Sequence, residues 1–246
     1  MIGIIDYGMG NLRSVENAFR SLGFEAFIAT APRELDRADK IVLPGVGAFQ
    51  SAVQTLERLE WPQKIKAEIE KGKPFLGICL GMQLLFEIGE ENGICRGLGF
   101  LPGKVTRIPD VSASGEEIKI PHVGWNQLSL HRKSGILGEP GDGETAPYVY
   151  FVHSYRVETD PAYVSASTFY GADLTAAVER DNIYAVQFHP EKSGEQGMKI
   201  LKNFAALPPQ TSKPQARKEL EKKSRKAAYK TAPTYGGCFV DSFPRH

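Results

Sequence analysis

One pentapeptide restricts the folds open to this chain more than any other feature. Gly77-Ile78-Cys79-Leu80-Gly81 follows the apolar run Pro74 to Ile78 and precedes residues with helical spacing. A G-x-C-x-G at a strand-to-helix junction is the thiol form of a nucleophile elbow. The turn forces its central residue into a strained backbone conformation, and the flanking glycines leave room for it. The Cys79 thiol then projects at the carboxyl end of a sheet, where the following helix aims its N-terminus at it and favours the thiolate. The amide of Leu80, the residue after the nucleophile, is one oxyanion donor. The run before the elbow is apolar throughout, as in a parallel strand buried on both faces.

The neighbouring segments agree with that reading. Ile2 to Ile5, Phe24 to Ile28 and Lys40 to Leu43 read as strands. Asn11 is placed to cap a helix with apolar positions Leu12, Val15, Phe19 and Leu22, and Gly23 is its stop. Further helices are expected over about Ala48 to Leu59, Pro62 to Lys71, Leu80 to Glu87 and Gly194 to Leu207. After Gly99 short β-like runs take over: Lys104–Ile108, Glu117–Pro121, Tyr148–His153, Val164–Phe169, Leu174–Glu179 and Ile183–Phe188. The pattern predicts a three-layer α/β sandwich, its central sheet mostly parallel with antiparallel additions.

Charge divides the chain at Pro208-Pro209. From Pro208 to His246 nine Lys and Arg meet three Asp and Glu, so the tail carries +6. With an overall charge of +1, residues 1–207 carry −5, which excludes a body built to bind nucleic acid. We therefore expect a domain over 1–207 and a solvated, disordered basic extension over 208–246, whose Lys-rich stretch from Lys213 to Lys230 has very few large apolar residues. No run of about 18 apolar residues predicts a membrane span, and the N-terminus lacks the basic and long apolar regions of a signal peptide. Cys79, Cys95 and Cys238 form no CxxC and cannot all pair within one chain. Free thiols in the reducing cytoplasm are the simplest expectation.

A thiol nucleophile needs a base. Gln187-Phe188-His189-Pro190-Glu191 follows an apolar strand, and an extended H-x-E puts both side chains on one side. Glu191 can then orient His189 and stabilise its charge, while His189 takes the Cys79 proton and later protonates a leaving amine. As a metal site the segment lacks further ligands at recognisable spacing, so no metal is expected. Pro44-Gly45-Val46-Gly47-Ala48-Phe49 is a glycine-rich turn after a strand, and the amide of Val46 or Gly47 is the natural second oxyanion donor. No phosphate-binding G-x-x-x-x-G-K-[ST] occurs, and Gly8-Met9-Gly10-Asn11 lacks the third glycine of a dinucleotide fingerprint.

Together these segments resemble the class I (triad) glutamine amidotransferases, over nearly all of residues 1–207. The Asp6-Tyr7-Gly8-Met9-Gly10-Asn11 opening, the Pro44-Gly45-Val46-Gly47 turn and His122-Val123-Gly124-Trp125-Asn126 narrow the likeness to the glutaminase subunits of imidazole glycerol phosphate synthase. The resemblance implies a flavodoxin-like fold and no cofactor. It implies that Cys79 attacks the side-chain amide of glutamine, that His189 protonates the departing ammonia, and that ammonia passes to a cyclase subunit, a (β/α)8 barrel, in histidine biosynthesis. It further implies that glutamine meets Gly47, Gln83, Ser154 and Tyr155, and that Asn11, Trp125, Asn126, Tyr150 and Lys192 face the barrel. Three other readings stand beside it: the amidotransferase component of another synthase (anthranilate or pyridoxal phosphate), a cysteine peptidase or thiol-based stress protein on a similar fold, and a non-catalytic scaffold.

Overall fold

Strand, helix and strand alternate through the first half of the chain: β1 (Ile2–Ile5), α1 (Leu12–Ser21), β2 (Ala26–Ala29), β3 (Lys40–Gly45), α2 (Phe49–Arg58), α3 (Trp61–Glu70) and β4 (Phe75–Cys79). A single helical turn, α4 (Leu80–Gln83), leads into β5 (Phe86–Gly89), β6 (Cys95–Arg96) and β7 (Leu101–Arg107). Then come β8 (His122–Gln127), β9 (Ser129–Leu130), β10 (Tyr148–His153), β11 (Tyr155–Glu158), β12 (Val164–Phe169), β13 (Asp173–Arg180), β14 (Ile183–Val186) and α5 (Gly194–Ala206). This is a computed structural model, and it describes residues 1–112, 114–139 and 147–209. The expected basic extension lies, from residue 210 onward, outside the described residues, as does Cys238.

The main sheet has eight strands in the order β2-β1-β3-β4-β14-β13-β12-β9. Pairing is parallel from β2 through β14 and antiparallel from β14 to β9. Side-chain alternation divides its core into two layers. Ile5, Ile41, Leu43 and Phe75 pack on one face with Phe49, Leu56, Trp61 and Ile65 of α2 and α3. Ile4, Val42, Leu76 and Ile78 pack on the other with Val15 and Phe19 of α1 and Ile200, Leu201 and Phe204 of α5. That is the expected three-layer sandwich, with β4 at the centre and buried along its whole length. A second sheet, β11-β7-β5-β6, and a two-stranded ribbon, β8-β10, complete the β structure of the described residues.

Four local expectations are corrected. The helix after the elbow ends at Gln83, not near Glu87. Met82 to Phe86 are all buried, so the segment has no polar face for a surface helix. Residues 98–101 draw its carbonyls out of the helical ladder: Leu98 N donates to Leu84 O, and Phe100 N and Leu101 N both donate to Leu85 O. Glu117–Pro121 is not a strand, because only Ile118 in it is buried and its backbone pairing is limited to an isolated bridge from Glu117 to Val111 and the bond Ile118 N to Asp110 O. β14 ends at Val186, so Gln187 and Phe188 lie beyond the strand rather than in it. Asn11 occupies the N-cap position of α1, but its side chain makes no capping hydrogen bond.

Candidate active site

The elbow is as tight as its glycines require. A Cβ on Gly81 would fall 1.8 Å from Leu43 O, and one on Gly77 would fall 2.8 Å from Gly81 O. β4 therefore runs into α4 with backbone touching backbone, and Cys79 absorbs the turn at φ 56°, ψ −113°. A non-glycine residue in that region stores strain of about 1–3 kcal/mol, sustained by the packing around it. The thiol is buried. Cys79 Sγ lies 3.9 Å from Val152 O, and Gln187 Nε2 donates to the sulfur at 3.7 Å. α4 is only four residues long, too short for the helix dipole expected at the thiol.

The cation beside the sulfur is His189. It follows β14 and begins the short turn Pro190–Lys192. His189 Nδ1 bonds Glu191 Oε1 at 2.9 Å, and both side chains are shielded from water. A carboxylate only accepts, so the proton sits on Nδ1 and Nε2 is left for the thiol. Nε2 is buried without a closed hydrogen bond. Burial works against the charged ring, but Cys79 and Glu191 outweigh it and raise the His189 pKa from 6.5 to about 9. At neutral pH the imidazole is thus a proton donor. Its backbone is fastened to the ribbon, His189 N donating to Tyr150 O at 2.9 Å, and Ser193 Oγ bridges His189 O and Tyr150 N.

Gly45 is the register partner of Cys79, so the turn after β3 lies beside the thiol. Val46 and Gly47 are exposed there, with Gly47 at φ 102°. Not every amide in the turn is available to an anion, since Phe49 N at the start of α2 donates to Glu91 Oε2 at 2.7 Å. Gln83 lies in the buried wall of the site, its Nε2 donating to Tyr155 O (3.2 Å) and Gln187 Oε1 (2.9 Å). Ser154 and Tyr155 stand at the junction of β10 and β11, on the same wall.

On the ribbon, Trp125 and Tyr150 share the outward face, their rings 6.2 Å apart, and Lys192 is exposed on the His189 turn. Asn126 does not share that face. Its side chain turns inward, Nδ2 donating to Phe169 O (2.9 Å) and facing His122 Nε2 (3.4 Å), because alternate residues of a strand point to opposite sides. Asn11 is half-buried at the start of α1.

Sequence reasoning gave no role to Gln187, Tyr7, His122 or His153. Gln187 could have been found: in the run Ile183–Phe188 as read from sequence it stands two residues before His189, on the same side of the chain. Tyr7 is 1% exposed, its hydroxyl has no hydrogen-bond partner, and its oxygen would lie 2.4 Å from a Cβ on Gly45. Burial, together with the charge of Cys79, raises its pKa well above that of an ordinary phenol. Among the described residues no group of His, Cys, Asp and Glu is arranged to hold a metal ion, and no helix is long and apolar enough to cross a membrane.

A buried thiol on a strained elbow, with a His-Glu pair beside it at the carboxyl edge of a mostly parallel sheet, defines a thiol-dependent amidohydrolase class. The family model for class-I glutamine amidotransferases matches residues 3–207, and the chain belongs to that family and is a glutamine-hydrolysing enzyme. An imidazole glycerol phosphate synthase subunit HisH of Geobacillus sp. (strain WCH70) is 50% identical over 208 residues, covering 84% of this chain and 97% of that one. The protein of that name from Methanothermobacter thermautotrophicus is 49% identical over 207 residues, covering 84% and 98%. Among solved structures, PurLQS from Thermotoga maritima superposes with a TM-score of 0.64 at 20% identity, covering 82% of this chain and 96% of the other, a likeness of fold.

Proposed function

We propose that Cys79, His189 and Glu191 are the catalytic triad, and that the chain delivers ammonia directly to a synthase subunit docked on the β8-β10 ribbon. The chain's function is that of the glutaminase subunit of imidazole glycerol phosphate synthase in histidine biosynthesis, on the strength of relatives about 50% identical over nearly their whole length. The observation that carries the triad is the buried His189–Glu191 pair, held beside a cysteine at φ 56°.

In the reaction, Cys79 Sγ attacks the carboxamide carbon of glutamine. Charge develops on the carbonyl oxygen, facing the amide of Leu80 and that of Val46 or Gly47. The C–N bond breaks as His189 gives its proton to the nitrogen, which leaves as ammonia. Water then attacks the thioester, its proton returning to His189, and glutamate and the thiol separate. Gln83 holds the Tyr155 carbonyl in place, so Gly47, Ser154 and Tyr155 line the glutamine side by their backbone.

The outward ribbon face supports the docking reading. Val123 (53% exposed), Trp125 (56%) and Tyr148 (52%) form an apolar patch joined by Tyr150 and Val152. Such a patch on a globular domain marks an interaction surface, and an aromatic pair suits its centre. Its place above the site is equally telling: Val152 contributes its side chain to the patch and its carbonyl to the surroundings of Cys79. Ammonia released there emerges beneath the partner rather than into water. The partner is the cyclase subunit, a (β/α)8 barrel; Lys192 meets it at the rim, and Asn11 lies at the edge of the contact. The Val46-Gly47 turn is exposed, and in this reading the Val46 peptide turns its N–H inward only in the complex, which leaves the chain idle when alone. The domain ends near Leu207, and cysteines with no pairing pattern favour a cytoplasmic setting.

The test is glutamate release by the full chain, alone and with the cyclase subunit plus its nucleotide ligand. Strong stimulation by the liganded partner is expected. Equal rates with and without it would overturn the coupling.

A further inference from the structure

The β8-β10 ribbon has a second face. Its register pairs His122 with His153, and both imidazoles are buried. His122 stacks between Phe151 (centroids 4.8 Å apart) and Tyr170 (4.0 Å). Neither histidine touches the triad by a hydrogen bond, yet two rings of phenylalanine would fill the space without the cost of burying polar nitrogens.

The bonds between them have a single consistent direction. Gln127 N donates to Asn126 Oδ1, and Asn126 Nδ2 donates to Phe169 O, which fixes the amide orientation. Nδ2 therefore also points as a donor at His122 Nε2, 3.4 Å away. That nitrogen accepts, so the His122 proton is on Nδ1, facing His153 Nε2 at 3.1 Å. His153 Nε2 accepts in turn, and its Nδ1–H donates to Tyr155 O at 2.8 Å. The chain ends on a carbonyl, which can only accept, so both ends demand the same tautomers. Burial holds both imidazoles at about 4, neutral at pH 7.

Tyr155 O is also where Gln83 Nε2 donates, and Gln83 and Gln187 continue the connection to Cys79 Sγ. On the same strand, Val152 O lies 3.9 Å from the sulfur and Tyr150 O holds the His189 backbone. We propose that the neutral His122–His153 pair is a positioning device: it sets the Val152–Tyr155 wall against Cys79 and carries displacement of the docking face to that wall. The second half rests on the docking reading given above. A one-directional chain suits this task. Hydrogen bonds near 3 Å fail when donor and acceptor separate by about half an ångström, so the pair holds one ribbon register and releases it as a unit.

Two variants of the full chain in complex with its cyclase partner test the proposal. His122→Phe keeps the ring stack and deletes both bonds. Asn126→Asp replaces the donor with an acceptor and draws the His122 proton to Nε2, opposing two acceptors at His153. Both are expected to bind the partner with unchanged Kd and to keep ammonia-dependent synthesis. In both, partner-stimulated kcat for glutamate release falls about tenfold or more, the ordinary scale of coupling between sites. Nitrogen-15 NMR of the wild-type imidazoles should show Nδ1–H tautomers at both positions, and a reversed His122 in Asn126→Asp. Stimulation of both variants equal to wild type would overturn the proposal, as would an Nε2–H tautomer at either wild-type histidine. An unstimulated wild type would instead defeat the docking reading and the transmitting role with it. Should His122→Phe fail to fold, the tautomers and Asn126→Asp still decide.

Discussion

Replacing Glu191 with Gln removes the charge that orients His189 and keeps the side chain's size. The carboxylate holds the imidazole by one bond of 2.9 Å, with both groups out of water. His189 stands at about 9 although burial alone would lower it from 6.5. That rise corresponds to about 3 kcal/mol in favour of the imidazolium. Cys79 and Glu191 supply it between them, and if Glu191 supplies about half, its neutral replacement brings His189 down by about one pH unit or more. The tautomer matters more than the charge. An amide can donate to Nδ1 and push the proton onto Nε2, which then cannot receive one from the thiol. Glu191→Gln should therefore lower kcat for glutamate release in the stimulated complex by about 10³-fold or more, with KM nearly unchanged, as for loss of an interaction made in the transition state. The assay is coupled glutamate detection, and ammonia-dependent synthesis by the same complex is the control that must survive. A kcat within about tenfold of wild type would refute the orienting role.

Trp125→Ala should weaken the cyclase complex about 30-fold, the loss of one aromatic anchor worth about 2 kcal/mol, read as Kd by calorimetry; unchanged affinity would move the interface elsewhere. Tyr7→Phe removes a buried hydroxyl that has no partner, so stability should rise by about 1 kcal/mol and Tm by about 2–4 °C, and a lower Tm would contradict that. The histidines predict a stability profile with two limbs. His189 is raised, so its contribution is complete below about 6.5 and fades as pH climbs through about 9. His122 and His153 are lowered, so theirs is complete above about 6.5 and is lost as pH falls through about 4. Urea midpoints from pH 4 to 9 should peak in between, and His122→Phe should blunt the acid limb alone.

The elbow and the His-Pro-Glu segment were legible because each is local: five consecutive residues force the turn at Cys79, and two residues' spacing puts Glu191 beside His189. The parallel half of the sheet was equally legible, since runs such as Phe75–Cys79 are buried on both faces and apolar throughout. Residues 84–86 misled because a run buried on every side has no period to read, and only their bonds to residues 98–101 make them the entry to β5. His122 and His153 were illegible for a different reason. They are 31 positions apart and meet only through the ribbon register, which also turns Asn126 inward from the face that Trp125 occupies. The wall of Gln83, Gln187 and Tyr155 is likewise a product of tertiary register, which local patterning cannot encode.

In the proposed reaction Cys79 carries the glutamyl group. Rapid acid quench of the liganded complex turning over glutamine, followed by peptide mass spectrometry, tests it directly. A glutamyl adduct is expected on the peptide bearing Cys79, absent in Cys79→Ala, which should retain ammonia-dependent synthesis while losing the glutamine-dependent reaction. Glutamine-dependent synthesis by Cys79→Ala at the wild-type rate, or an adduct on another residue, would contradict it.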